Sequence, residues 1–214
     1  MENVLEFGAS PGARRWRGGC AGEYRGRAFV LDGADFGCAQ SRRRRFEVWV
    51  RGARQVPRWR PPTLAPDARR PLLDVLEAGA PWSPVDAAAR RAVGLRPLAP
   101  KTLRQVAAGV EAYRGGLFVV RYNGSQRARS VVYSPARPLG ALTTRDRFCL
   151  ARGGAGAPAE IRRLTLREQA RLFDLPERYS FAGVSHSDGV KLCGNALVST
   201  VLAWLWLRTR EVIG

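Results

Sequence analysis

Asp32-Gly33-Ala34-Asp35-Phe36-Gly37-Cys38-Ala39-Gln40-Ser41-Arg42-Arg43-Arg44-Arg45-Phe46 is the stretch on which the reading of this chain turns. A glycine-rich turn leads into a basic run, and strand patterns flank both. Arg27–Asp32 upstream is a short strand candidate. Arg45–Arg51 downstream sets Phe46, Val48 and Val50 on one face, the period of two expected of a half-buried strand.

Residues 8–27 are rich in Gly and Arg and read as loop. After the second strand, Pro57, Pro61, Pro62 and Pro66 break regular structure. Val85–Val93 reads as a short helix between Pro84 and Gly94. Thr102–Ala112 reads as a better one, with Leu103, Val106, Ala107 and Val110 along one side. Leu117–Tyr122 reads as a strand, Pro135–Pro138 as a turn and Leu139–Ala151 as a strand-like segment. Gly153–Pro158 reads as a flexible break. Thr165 opens a helix with a capping signature, Glu168 standing three residues on, and that helix ends before Pro176. Leu192–Arg208 reads as one final helix, apolar on most sides and so largely buried.

Apolar residues make up 45% of the 214, enough for a packed core. No uninterrupted apolar run reaches the roughly 18 residues of a bilayer span. The N-terminus lacks the basic leader of a secretory signal, so a cytoplasmic protein with no membrane partner is expected. The net charge is +18, and of the 36 basic residues only Lys101 and Lys191 are lysines. Such an excess fits a polyanionic partner, and equally the residue bias of a GC-rich genome. The four cysteines, Cys20, Cys38, Cys149 and Cys193, match no zinc-site spacing, so no metal is expected. Cys149 and Cys193 occupy apolar slots. The only histidine, His186, reads as a solvated loop residue, which disfavours a Cys-His hydrolase.

Six blocks in order resemble the cytosine-5 DNA methyltransferases of bacteria and phages. Met1-Glu2-Asn3-Val4-Leu5-Glu6-Phe7 resembles their Glu-Asn-Val motif. Asp32–Phe46 resembles the Gln-x-Arg-x-Arg motif with its lead-in. Trp59-Arg60-Pro61-Pro62-Thr63 resembles a following Trp-Pro-x-Pro-Thr. Leu98–Gly109 and Arg137–Phe148 resemble the segments that frame target recognition. Arg163–Tyr179 and Gly194-Asn195-Ala196 resemble the closing motif.

The resemblance implies an α/β fold: an incomplete Rossmann-like methyltransferase domain, its last strands and closing helix, with a small target-recognition region. Residues 1–55 end the catalytic domain, 56–135 form the recognition region and 136–214 return to the catalytic domain. In this family a cysteine thiolate attacks C6 of a cytosine flipped out of duplex DNA. Charge building on the ring is met by a carboxyl group at N3 and a guanidinium at O2. The resemblance gives the first role to Glu2 and the second to Arg44, with Arg42 supporting it. It has Asn3 orient Glu2 and Gln40 shape the pocket. Asn195, Ala196 and Leu197 fall where the family touches S-adenosylmethionine. Arg121, Asn123, Gln126 and Arg127 are candidates for base readout in the major groove.

In the family, the Pro-Cys nucleophile motif and the Gly-rich loop holding most of the cofactor precede Glu-Asn-Val. Both are therefore expected outside this chain. The stretch from Val4 to Gly33 is short, and Ala39 replaces the usual proline. A subunit of a split restriction-modification enzyme paired with a separately encoded catalytic half, a truncated gene product and a decayed remnant all fit. A DNA-binding regulator without catalysis is the alternative function. Strands parted from their partners leave an open edge and an apolar face, so poor solubility or marginal folding is expected of the isolated chain.

Overall fold

The computed structural model describes residues 2–3, 5–121, 131–154 and 157–213. The first layer is a three-stranded antiparallel sheet of β1 (Glu2–Asn3), β2 (Tyr24–Asp32) and β4 (Arg43–Arg51), with β4 in the centre. β2 pairs with β4 along its whole length, from Tyr24 opposite Arg51 to Asp32 opposite Arg43. On the other side β1 meets only Phe46 and Arg45.

Both strand patterns around the opening stretch are present, each starting earlier than the sequence reading had it. The loop expected over residues 8–27 is instead the helix α1 (Pro11–Cys20) followed by the first residues of β2. Ser10 caps α1 by accepting from the Ala13 amide, and Pro11 starts it where no amide partner is needed. High glycine content hid this helix. Its stability comes from tertiary contacts: Ala13 is fully buried, and Trp16 meets Trp49 edge to face at 5.3 Å.

The opposite face of the same sheet packs against α6 (Ser199–Ile213). Phe46 and Val50 are buried on that side, and Trp204 of α6 packs edge to face on Phe29 at 6.5 Å. The sheet is thus sandwiched between helices, a layered α/β arrangement.

The second sheet has five strands in the order β5 (Ser83–Pro84), β10 (Ala157–Arg163), β9 (Phe148–Gly154), β6 (Phe118–Arg121), β7 (Val132–Tyr133). The strand expected over Leu139–Ala151 divides into β8 (Leu139–Gly140) and β9. Of the flexible break expected over Gly153–Pro158, Gly153 and Gly154 belong instead to β9 and Ala157 and Pro158 to β10, while residues 155 and 156 lie outside the described residues. Val119 and Leu150 face the main core, whereas Phe118, Val120, Cys149, Ala151 and Ile161 form a second cluster. Val106 of α3 (Pro100–Ala112) packs into that cluster, with Val85 just before α2 (Ala87–Ala92) and Leu98 at its margin.

α4 (Leu166–Arg171) has the expected capping box, with Thr165 and Glu168 each bonded to the other's backbone amide. The single closing helix is instead two, α5 (His186–Asn195) and α6, separated at residues 196–198. Ser185 caps α5, and the Ser199 amide leaves the helical pattern to donate to the Phe173 carbonyl at 3.0 Å. His186–Ile213 is by length and composition apolar enough to cross a bilayer. The break leaves α6 with 15 residues, about 22 Å of helix, short of the roughly 30 Å hydrocarbon core. α6 is also less buried than expected: Val201 and Leu205 are covered, while Leu202, Trp206, Leu207 and Ile213 are exposed.

Candidate functional site

Asp32 organises the turn that presents the arginine run. One carboxylate oxygen accepts from the amides of Ala34 at 3.2 Å and Arg42 at 2.8 Å, and the other from the Ser41 hydroxyl at 2.8 Å. Gly37 closes the turn with φ of 83°, a conformation a side chain would strain. β3 (Gln40–Ser41) then pairs in parallel with β8, tying this turn to the segment between β7 and β9 of the second sheet.

Gln40 and Arg42 point inward. The Gln40 amide nitrogen donates to the Leu172 carbonyl at 2.9 Å, and its oxygen accepts from the Leu142 amide at 2.8 Å. Arg42 donates to the carbonyls of Leu142 at 2.7 Å and Gly194 at 3.1 Å, and its guanidinium lies 5.2 Å from the Phe173 ring centre. Burial, with the nearby Arg44 charge, pushes the Arg42 pKa down to about 10; it remains cationic at neutrality. The two side chains therefore clamp the turn to residues 142, 172 and 194. Gly194 is required there, because a Cβ would stand 2.3 Å from the Thr143 carbonyl carbon.

Arg44 takes a different course. It shares a sheet face with Glu2, and its Nε lies 3.5 Å from Glu2 Oε1, both side chains being largely covered. β1 and β4 thus bring together two residues 42 positions apart in the sequence, the pair assigned to the base. Asn3 lies on the opposite face, in register with Arg45. Arg45 reaches Glu47 at 2.8 Å, and Glu47 also meets Arg17 of α1 at 3.3 Å. Burial alone would raise the Glu47 pKa. Hydrogen bonds from Arg45 and Trp49 and the Arg17 charge outweigh it and hold the carboxyl below its ordinary range.

Beside the ion pair runs a groove of about 510 Å³ whose walls include Glu2, Phe46, Leu197, Leu202 and Trp206. Of the three residues assigned to the cofactor, only Leu197 lines it. Asn195 faces a separate cleft with Thr144, Arg145, Arg163 and Lys191. Arg121 ends β6 with its guanidinium 5.9 Å from the Phe148 ring centre. Asn123, Gln126 and Arg127 lie outside the described residues. His186 is exposed, as expected, but it is the first residue of α5 rather than part of a loop, and its Nε2 lies 3.2 Å from Asp146. Among the described residues no group of three His, Cys, Asp or Glu side chains is placed to hold a metal ion.

The profile of the C-5 cytosine-specific DNA methylase family matches residues 20–206. The chain belongs to that family. Solved structures agree on the α/β fold. The methyltransferase Dnmt2 of S. pombe matches with a TM-score of 0.60 and 16% identity over 96% of this chain and 62% of its own. The Entamoeba histolytica methyltransferase EhMeth gives 0.58 and 12% identity, over 100% and 62%. A putative DNA modification methyltransferase encoded within an E. coli prophage gives 0.52 and 15% identity, over 99% and 68%. This family member therefore spans under two thirds of the length of the first two. No curated protein matches it in sequence.

Sequence reasoning passed over Asp32, although an Asp-Gly step before a Gln-x-Arg-x-Arg motif was the available signal. It also passed over Phe46 and Trp206 as groove walls, because which face of a strand or helix meets a cleft is set by tertiary packing.

Proposed function

We propose that this chain is the C-terminal portion of a DNA cytosine-5 methyltransferase, supplying base-pocket and DNA-recognition residues for methylation of cytosine C5. The observation that carries this is the Glu2–Arg44 pair at 3.5 Å beside an open groove. O2 and N3 are neighbouring atoms on the pairing edge of cytosine. A guanidinium beside a carboxyl group offers that edge one donor and one proton-carrying acid. A flipped base entering between them replaces one ion pair with two base contacts. Arg44 then holds O2, and Glu2 protonates N3 as attack at C6 loads the ring with charge.

Gln40 and Arg42 act behind the pocket. By fixing the turn to the Leu142, Leu172 and Gly194 backbone they set where β4 delivers Arg44. Asn3 steadies β1 from the far face. S-adenosylmethionine, when bound, supplies the methyl group. Leu197 and Phe46 suit one apolar wall of its site, and the remaining contacts belong to a Gly-rich loop on the N-terminal portion. The nucleophile belongs there too, delivered by a separately encoded catalytic half in a cytoplasmic restriction-modification system. Arg121, with Asn123, Gln126 and Arg127, reads duplex DNA.

The test is co-production with the N-terminal portion of a family member carrying the Pro-Cys and Gly-rich motifs. Transfer of labelled methyl groups to cytosine in duplex DNA is expected from the mixture and from neither part alone. Duplex binding by this chain with no transfer in any mixture returns it to a non-catalytic DNA-binding role.

A further inference from the structure

Glu2 sits on a strand with little ladder to hold it. Among the described residues β1 pairs with β4 at two positions, Glu2 with Phe46 and Asn3 with Arg45, whereas β2 pairs with all nine residues of β4. The chain then turns once through Leu5–Ala9 and enters α1. That turn is gripped from the far face of the sheet. Glu47 is only 3% exposed. One of its carboxylate oxygens meets Arg45 at 2.8 Å, and the other meets Arg17 of α1 and the Trp49 indole N–H, each at 3.3 Å. Arg17 also donates to the Gly8 carbonyl, and Arg14 to the Ala9 carbonyl at 2.7 Å. Arg45 passes directly against Gly8, where a Cβ would stand 2.7 Å from its Nε. That Nε is the atom bonded to Glu47, so Arg45 is not free to swing aside.

We infer that Glu47 is a positioning residue for the reaction: through Arg45 and Arg17 it anchors the turn after β1 and so fixes Glu2 against Arg44. The inference rests on the function proposed above. Glu47 faces away from Glu2 and Arg44, so it touches no base and acts through the two arginines. Both arginines that meet its carboxylate also meet Gly8, six residues after Glu2. The bridge therefore joins β4, which carries Arg44, to the segment that carries Glu2. A carboxylate shared by two guanidiniums makes short, charge-assisted bonds of defined direction. Such a support matters because a reacting group misplaced by about 1 Å costs on the order of a hundredfold in rate. A two-residue ladder alone leaves that placement loose, since short strand pairings are marginal by themselves.

The experiment has two readouts. The first is amide hydrogen exchange of the full chain, comparing residues 3–9 with β2. In Glu47→Gln, protection over residues 3–9 should fall at least about tenfold further than over β2, the factor carried by one charge-assisted hydrogen bond. Arg17→Met, at a partly exposed position that a folded chain tolerates, should do the same. The two substitutions together should add little to either alone, because they break one bridge. Arg15→Met, exposed on α1, should change nothing. The second readout is methyl transfer by the assembled protein. Glu47→Gln should lower the single-turnover rate about tenfold at saturating duplex while the duplex Kd stays unchanged. Equal loss over residues 3–9 and β2, or no loss, overturns the anchor and leaves the methyltransferase reading intact. Local loosening with an unchanged rate overturns the positioning role. Local loosening as expected, with no transfer by any assembly of the unsubstituted chain, supports the anchor and overturns the methyltransferase reading itself.

Discussion

Four basic residues in a row divide their labour by the alternation of a strand. Arg42, before the strand proper, turns inward to carbonyls; Arg44 meets Glu2; Arg45 faces the other way toward Glu47. Replacing Arg42 with Met leaves the Leu142 and Gly194 carbonyls without these donors. Urea denaturation should show a loss of about 3 kcal/mol, since a charged donor to buried acceptors is removed. Gly194→Ala should cost a similar amount, about 3 kcal/mol, because its methyl group meets backbone rather than a movable side chain. Glu47 titrates with the opposite consequence to a buried neutral group. Its folded pKa lies below the ordinary 4.5, so its contribution is present above that value and lost as pH falls through the folded pKa. The urea midpoint should therefore drop on acidification below about pH 4.5, and the drop should be smaller in Glu47→Gln.

Elements were legible where sequence pattern and packing agree. Phe46, Val48 and Val50 announced β4, and the Thr165–Glu168 box announced α4. α1 was illegible because its glycines, Gly12, Gly18 and Gly19, lower helix propensity; Ser10 holds it through a cap, and Trp16 and Arg17 through contacts with the sheet. Ser10→Ala should therefore lower stability by about 1 kcal/mol, read as a shift in thermal midpoint. The break between α5 and α6 was hidden by a continuous apolar run. It is made by bonds from distant residues, Arg42 to Gly194 and Ser199 to Phe173, which no local pattern encodes. At the candidate site, motif order identified Glu2 and Arg44, but only the β1–β4 register puts their side chains on one face.

The whole molecule is a layered α/β fold with one side of its first sheet open and an apolar helix face beside it. Exposed Leu202, Trp206 and Leu207 predict that the isolated chain precipitates at low concentration, and that Trp206→Glu raises the concentration that stays in solution. The family and the fold are established; completion of the active site by a second part is the claim on which the functional account rests. The most direct measurement is methyl transfer to cytosine C5 by the assembled protein with Glu2→Gln or Arg44→Ala in this chain. The account predicts that either substitution lowers the single-turnover rate by at least about a hundredfold while the two parts still assemble. Undiminished transfer by both variants would contradict it.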